Sequence, residues 1–317
     1  MLCVSCFDVR FVCFPAAFYY NFLQGLYMAS PAVDVAWWLG LAAPGSDAPP
    51  VKPYLLQLRT TLENYDRWLW TNRNSSGCCG LYAPDQGVDA STCCYHNASN
   101  SRCCPAAPAS AGLGLLWSPS YKDTGEDNSD KYRMNKAPFQ VMDLMGYSHD
   151  CARALARIAR LLSDPTNATR WSRRADAVAS AVKAGLWREE LHAMFDRDSA
   201  GQWVTTLVHN NIRMMWHGAF SQSMADDFIA HHLMNTSEFW TNMPLPSIAI
   251  NDPRFRKHPS GNDWSGPPQG LTIQRSIRAL ENCKIVMLSA ETFVALPVSQ
   301  PGTKASPFQT GMWRSLC

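Results

Sequence analysis

Two adjacent carboxylates, Glu126 and Asp127, are the residues whose types and spacing most favour acid–base chemistry. Gly125 precedes them and permits a tight backbone bend, and Asn128 follows with a short hydrogen-bonding side chain. A carboxylic acid held on such a loop between helices suits general acid catalysis. A loop of acidic and small polar residues is also typical of a solvated turn, so composition leaves both interpretations open.

Residues 125–132 read Gly-Glu-Asp-Asn-Ser-Asp-Lys-Tyr. They resemble the G-x-D-N/D-S-P-R-Y/F signature of a sugar-cleaving group that contains the mannosylglycerate hydrolases and the processing α-glucosidases of glycoside hydrolase family 63. The resemblance implies that Asp127 is the general acid. Because a neighbouring carboxylate disfavours ionisation, Glu126 would keep that acid protonated. Asp130-Lys131 stands where Pro-Arg is usual, so the match is partial.

Three further segments carry the same resemblance. Residues 65–73 resemble the family's Y-D-x-W-L-W-T-x-R helix end, residues 244–255 its P-L-P-S-I/V-A-x-D-D-P-x-F/Y segment, and residues 264–267 its Trp-Arg-Gly-Pro turn, with Ser265 replacing arginine. The resemblance implies that the substrate-binding residues are Trp70, Arg73, Asn128, Trp264 and Gln269. Arg73 is equally typical of a surface charge that caps a helix C-terminus, and the tryptophans are equally typical of core packing.

Apolar residues recur every three or four positions along much of the chain, which predicts amphipathic helices. The predicted helices cover residues 54–70, 141–162, 168–186, 222–234 and 269–282. The second and third are joined by a short Asp-Pro connection, and such helices pack as an antiparallel hairpin. A Gly-containing turn between residues 194 and 203 predicts a pair of short strands.

The family resemblance implies an all-α fold, an (α/α)6 toroid of the six-hairpin glycosidase type. The pattern gives only about six to eight long helices, fewer than such a ring contains, which predicts an open or incomplete toroid. We expect an irregular N-terminal segment over residues 1–53, the toroid over residues 54–282 and a divergent C-terminal tail over residues 283–317. A Cys-rich insertion, residues 78–118, interrupts the toroid.

The composition limits the kinds of partner that the chain is expected to bind. The chain has 317 residues, 46% of them hydrophobic, which is ample for a large core. Its net charge of +2 provides no basic field for nucleic acid, and no apolar run reaches the ~20 residues of a membrane span. We therefore expect a carbohydrate substrate, no nucleic acid and no membrane.

No cofactor or metal is expected, because hydrolysis by two carboxylates requires neither. Asp196 and Asp198 alternate as in a calcium loop, but the closing glutamate at the twelfth position is missing. The adjacent His231 and His232 are interpreted as residues of a helix surface.

The chain has twelve cysteines, whose spacing bears on the cellular compartment of the protein. Six of them form three adjacent pairs between Cys78 and Cys104, a spacing that fits disulfides better than zinc. This pattern favours the secretory pathway. Four Asn-x-Ser/Thr sequons agree with it but add little, because about two are expected by chance. The first thirty residues lack the charged start and clean apolar stretch of a signal peptide, which leaves the localisation open.

The function that the resemblance implies is inverting hydrolysis of a small glycoside or oligosaccharide. Relatives carry a catalytic glutamate near the C-terminus, but Glu281 and Glu291, the late glutamates of this chain, stand in no matching context. The alternative is therefore an inactive, truncated carbohydrate-binding relative that lacks the general base. A disulfide-built secreted interaction module is a third possibility, which rests on the cysteines alone.

Overall fold

The computed structural model describes residues 51–73, 114–118, 129, 139–198, 200–257, 264–270, 273, 276–277, 279–280 and 283. Helices dominate this part of the chain. They are α1 (Val51–Asn72), α2 (Met142–Leu161), α3 (Pro165–Gly185), α4 (Asn210–Trp216) and α5 (Gln222–Phe228), followed by a π-helical turn (Ile229–Leu233). None of the helices in these ranges is long and apolar enough to cross a bilayer.

Most of the predicted helices are confirmed. The expected helix over residues 54–70 is α1, and the expected hairpin is α2 and α3. The expected helix over residues 222–234 is formed by α5 and the π-helical turn that directly continues it. Described positions between residues 270 and 280 are helical, as the pattern predicts. The short helix α4 was not predicted, because its sequence mixes polar and apolar residues without a clear period.

Within the ranges that the structure describes, six strands of two residues each join the helices. They are β1 (Trp117–Ser118), β2 (Phe139–Gln140), β3 (Trp187–Arg188), β4 (Ala193–Met194), β5 (Asp196–Arg197) and β6 (Trp203–Val204). Strands β1, β2, β5 and β6 form one antiparallel sheet in that order, and β3 pairs with β4 around a 3-10 helix (Glu189–Leu191). The predicted strand pair over residues 194–203 is confirmed as β5–β6, with Gly201 at φ +76° in the turn.

The sheet holds the start of α2. Val141 provides no side-chain cap there, so the first backbone N–H groups of the helix need acceptors from elsewhere. Asp196 of β5 supplies one, because its Oδ1 accepts from the Met142 N–H at 2.9 Å. The position of α2 therefore depends on a residue more than fifty positions later in the chain.

Local sequence features determine where α3 begins and which of its faces packs in the α2–α3 hairpin. Asp164 caps α3 by accepting from the Asn167 N–H at 3.1 Å, and Pro165 occupies the first turn, where its missing N–H costs nothing. The inward face of α3 is apolar and buried, as its periodicity predicts. This face consists of Ala168, Trp171, Ala175, Val178 and Val182.

Burial of α2 exceeds what its sequence predicts. The predicted apolar face is buried, but so is every residue from Met142 to Ala152, including Asp143, His149 and Asp150. The reason is that α1, α3 and α4 all pack against this helix. Its first three turns are a central element rather than a surface helix.

The predicted disulfide framework over residues 78–104 lies outside the described residues. Two cysteines within the described part, Cys151 and Cys283, are free and buried. Cys151 donates its S–H to the Leu62 carbonyl at 3.4 Å, which links α2 to α1. Burial raises the pKa of the Cys151 thiol well above its ordinary value, so this side chain contributes packing rather than reactivity.

Gly146 marks the close approach of α2 to α4. A Cβ at this position would lie 2.9 Å from both Met214 Sδ and His217 Cδ2, closer than Cβ atoms are found in proteins. The absence of a side chain therefore lets the two helices meet at short range.

Replacing Gly146 with alanine tests this contact. The added methyl group creates strain that typically costs about 1–3 kcal/mol, against a gain of about 1 kcal/mol in helix propensity. We expect a net loss of stability, measured as a lower midpoint of thermal or denaturant unfolding.

Gly270→Ala is the matched control. Gly270 is exposed and helical, and a Cβ there meets nothing within 4 Å. This variant is expected to gain up to about 1 kcal/mol. Equal gains in both variants would contradict the close approach of α2 to α4.

Candidate functional site

A buried ion pair joins α2 to α4. Nη1 of Arg213 lies 3.3 Å from Oδ1 of Asp143, and the two side chains are only 2% and 0% exposed. Asn210 adds a second contact, because its Nδ2 donates to Oδ2 of Asp143 at 2.7 Å. Both oxygens of the carboxylate are thereby satisfied, which a buried charge requires.

Trp264 lies against the other side of Arg213. The Cζ atom of Arg213 is 5.4 Å from the centroid of the indole ring, a distance that allows a cation–π contact. The His209 ring meets the same indole edge-on at 5.6 Å. We call these five residues the Trp264 cluster: Asp143, His209, Asn210, Arg213 and Trp264.

The indole N–H of Trp264 is buried in the protein interior. Trp264 is 8% exposed, and its Nε1 is buried without a hydrogen-bond partner among the described residues. A buried donor of this kind normally finds an acceptor. The Trp264 cluster therefore contains a buried donor without a partner among the described residues, next to the buried guanidinium of Arg213.

The two late family-like segments assemble this cluster through backbone hydrogen bonds. The Ser247 N–H donates to the Gly266 carbonyl at 3.0 Å, and the Arg256 N–H donates to the Ser265 carbonyl at 2.7 Å. The His209 N–H in turn donates to the Ser247 carbonyl at 3.1 Å. Segment 244–256 thus lies between the Trp264 turn and the start of α4, and fixes both.

The predicted catalytic residues Glu126 and Asp127, and the predicted binding residue Asn128, lie outside the described residues. Ser129, which belongs to the same signature, is described and is 2% exposed. Its hydroxyl is buried and has no partner among the described residues. Within the signature, Ser129 is therefore an interior residue.

Trp70 is bound to neighbouring helices. Its Nε1 donates to the Ser148 hydroxyl of α2 at 2.8 Å, and the Arg174 guanidinium lies 4.1 Å from its ring centroid. Arg174 also pairs with Asp66 at 3.6 Å. Burial raises the pKa of Asp66, and the Arg174 charge opposes that rise. Because its N–H is occupied, Trp70 offers a ligand only the remaining surface of its ring.

Arg73 is a buried residue and not a surface charge. It is 1% exposed, and its Cζ lies 4.9 Å from the Trp68 ring centroid. Its carbonyl accepts from the Trp117 N–H at 2.7 Å, which ties the end of α1 to β1. The interpretation of Arg73 as an exposed helix cap is therefore wrong, whereas its role in sugar binding stays a prediction.

Gln269 lies at the start of the last described helix. It is half-buried, and its carbonyl accepts from the Ile273 N–H at 3.2 Å. Its predicted contact with substrate stays a prediction.

Four residues of the Trp264 cluster were not identified from the sequence: Asp143, His209, Asn210 and Arg213. A signal was present, because residues 207–215 place His, Asn and Arg among Leu, Val, Ile and Met. Polar residues in so apolar a segment are either exposed or paired in the interior. Whether these polar residues are exposed or paired depends on Asp143, which lies on another helix.

A buried histidine forms a second polar link between α2 and the end of α4. Nδ1 of His149 lies 2.8 Å from the His217 carbonyl and donates to it, and Nη1 of Arg153 donates to the same carbonyl at 3.3 Å. Burial lowers the pKa of His149 from 6.5 to about 4, although its hydrogen bond opposes the shift. His149 is therefore neutral in the folded protein near pH 7.

Comparison with known proteins identifies the family. The model of the mannosylglycerate hydrolase MGH1-like glycoside hydrolase domain matches residues 25–268. The chain belongs to this glycoside hydrolase family. No curated protein matches the chain.

Solved structures show the same fold as this MGH1-like chain. GH63 mannosylglycerate hydrolase from Thermus thermophilus, in complex with glucose, matches with a TM-score of 0.58 and 16% identity, over 83% of this chain and 63% of that one. The complex of the same enzyme with Tris and D-glycerate gives a TM-score of 0.56, 14% identity, and 83% and 65% coverage. A sialidase gives 0.53 and 18% identity, over 73% of this chain and 18% of that one.

The chain spans less than two thirds of the length of each of these structures. Their likeness confirms the expected all-α fold of the six-hairpin glycosidase type. The identities are too low to carry over the roles of individual residues.

The buried ion pair is tested by Arg213→Met. Removing one partner leaves the Asp143 carboxylate uncompensated in the interior, which typically costs about 3–5 kcal/mol. We expect a loss of that size in the free energy of unfolding. The double variant Asp143→Asn, Arg213→Met should recover part of it, because no buried charge remains.

Arg59→Met is the control for this cycle. Arg59 lies 3.7 Å from Glu63 and 3.5 Å from Asp164 in solvent-accessible pairs, and each such pair contributes about 1 kcal/mol or less. If the double variant were no more stable than Arg213→Met, the pairing of Asp143 with Arg213 would not be what stabilises this interface.

The lowered pKa of His149 predicts that the folded protein loses stability in acid. Its folded pKa of about 4 lies below the ordinary 6.5, so the unfolded chain binds the proton first as the pH falls. Its contribution to stability is full above pH 6.5 and is lost progressively down to about pH 4, by roughly 3 kcal/mol.

His149→Gln removes this titration. The free energy of unfolding is measured with denaturant between pH 4 and 8. Below pH 6.5 it should fall less steeply in the variant than in the wild type, and above pH 6.5 the two slopes should be equal. The same slope in both proteins would show that His149 is not the group responsible.

Proposed function

We propose that this chain hydrolyses a small glycoside or oligosaccharide with inversion at the anomeric carbon. The observation that carries the proposal is the family match over residues 25–268. The Trp264 cluster supports it, because it combines an aromatic ring, a buried cation and an unsatisfied donor at a motif that the family shares.

Asp127 is the general acid in this proposal. It would protonate the glycosidic oxygen as the bond to the anomeric carbon breaks, while a second carboxylate removes a proton from the attacking water on the opposite face of the sugar. In inverting enzymes these two groups lie about 6.5–9.5 Å apart. Glu126 would hold Asp127 in its protonated form before the reaction.

The buried Ser129 supports this assignment. Ser129 belongs to the same signature, two residues after Asp127, and is 2% exposed. At Ser129 the chain is therefore not solvated, which argues against the alternative interpretation of the segment as a solvated turn.

Trp264 is the substrate contact that the geometry supports best. Its buried Nε1 would donate to a sugar hydroxyl or to the ring oxygen. Arg213 and His209 hold the indole in place. Trp70, Arg73, Asn128 and Gln269 complete the proposed substrate-binding set, as the family resemblance implies.

The second candidate is a carbohydrate-binding protein without hydrolytic activity. It is favoured by one observation on the sequence, that neither Glu281 nor Glu291 stands in the context of the family's catalytic base. Both residues lie outside the described part of the chain. The two candidates differ in a simple way, because only the first releases a free sugar.

Asp127→Asn tests the catalytic assignment. A panel of α- and β-hexosides is incubated with the purified full chain, and the released sugar is measured together with its initial anomeric form by NMR. Loss of a general acid typically costs about 10²–10⁴ in rate, so we expect kcat to fall by that factor with KM little changed.

Asp130→Asn is the control, because it removes an equivalent charge three residues later and should leave kcat unchanged. Wild-type activity in Asp127→Asn would disprove the assignment of the acid. A wild-type protein that binds sugars but releases none would establish the second candidate instead.

Trp264→Phe tests the substrate contact. The variant keeps an aromatic ring but removes the N–H, and a lost hydrogen bond of about 1 kcal/mol corresponds to about a fivefold drop in kcat/KM. The control is Trp171→Phe on α3, because Trp171 is 5% exposed and also has a buried, unpartnered Nε1 among the described residues. Equal effects on kcat/KM in the two variants would remove Trp264 from the proposed site.

A further inference from the structure

A second cluster of polar side chains lies between the β3–β4 turn and α5, and it shares no residue with the Trp264 cluster. It consists of His192, Asp227 and His231. Asp227 and His231 are four positions apart on α5 and the π-helical turn, which places them on the same face. His192 follows the 3-10 helix with a left-handed backbone, φ 49°.

The three side chains converge. Each offers one potential ligand atom, and these atoms all lie within 4.8 Å of one another. The rings of His192 and His231 are stacked, with centroids 3.7 Å apart and an interplanar angle of 5°. Two imidazoles and one carboxylate are donors that bind zinc and similar divalent ions.

Hydrogen bonding leaves ring nitrogens available for a metal. Nδ1 of His231 lies 2.8 Å from the Asp227 carbonyl and donates to it, since a carbonyl only accepts. In the neutral ring, Nε2 of His231 then carries the lone pair. Such a bond to a backbone carbonyl is the usual support of a metal-binding histidine. Nδ1 of His192 is buried and has no partner among the described residues.

The neighbouring His232 holds the two sides of this cluster together. Its Nε2 lies 2.6 Å from the Leu191 carbonyl, and its Nδ1 lies 2.7 Å from Oε2 of Glu238. The residue before His192 is thereby bound to the residue after His231. This arrangement fixes the backbone at His192 and at His231 before any ion binds.

We propose that His192, Asp227 and His231 bind a divalent transition-metal ion, with zinc the best match to their donors. Three protein ligands leave one tetrahedral position for water. The stacked rings must tilt for their lone pairs to converge, because zinc ligand atoms lie about 3.3 Å apart around the ion. His231 is exposed, so its ring has room for this change.

The sequence alone predicts no metal, because His192 is remote from the other two residues and His231 resembles a surface residue. The bound ion would connect the β3–β4 turn to α5. Since the unfolded chain does not hold these three residues together, the ion binds the folded state preferentially and stabilises it.

Zinc titration of the full chain tests the proposal, with accessible thiols blocked by alkylation to exclude binding by cysteines. We expect one zinc ion per chain by calorimetry. At a free zinc concentration a hundred times Kd, the Tm should rise by about 5 °C or more. Cobalt should give the weak visible bands of nitrogen and oxygen ligands, without a sulfur charge-transfer band.

Three variants remove one ligand each: His192→Asn, which tolerates the left-handed backbone, Asp227→Asn and His231→Gln. Each should weaken zinc binding at least 10- to 100-fold. Asp226→Asn is the matched control, because Asp226 is exposed, bonds Gln222, and loses the same charge one position away. Its affinity should equal that of the wild type.

The proposal is overturned if zinc raises the Tm of the ligand variants as much as that of the wild type, or if no stoichiometric binding is found. The second result would mean that the two histidines form only a packing contact. Because the readouts are metal affinity and Tm, they are independent of whether the protein hydrolyses glycosides.

Discussion

The contact between α2 and α4 is the constraint on which the rest of the structure depends. Along one side of α2, Asp143 binds Arg213 and Asn210, Gly146 permits close approach, and His149 binds the His217 carbonyl. A buried carboxylate is tolerated only with such partners. The two helices are therefore fixed in one register, since a shift would leave a charge unpaired.

The contacts that fix α2 against α4 also reach the proposed site. Arg213 lies between Asp143 and Trp264, so the same guanidinium that neutralises the carboxylate also contacts the indole. Asn211, the next residue after Asn210, accepts from the Met194 N–H at 2.7 Å and so holds β4. Stability and the proposed ligand binding consequently share side chains, so a substitution at Arg213 is expected to affect both.

The family-like segments serve a structural purpose beside any catalytic one. The backbone of segment 244–256 binds both the start of α4 and the Trp264 turn. Leu245 has φ +66°, a strained conformation for a non-glycine residue. Strain of this kind persists where the surrounding contacts determine the backbone, and it agrees with a segment whose main task is to position Trp264.

The sequence by itself determined the helices and much of their pairing. Periodicity located α1, α2 and α3, and the capping signal at Asp164 located the turn between α2 and α3, because these are local properties of the chain. Motif resemblance indicated the family and singled out Trp264. The tertiary structure alone decided that the first three turns of α2 are buried on all sides, that Arg73 is interior, and that Asp143, Arg213 and Trp264 meet. These outcomes depend on residues far apart in sequence, whose pairing is set by the balance of desolvation and charge in a shared core and leaves no local pattern.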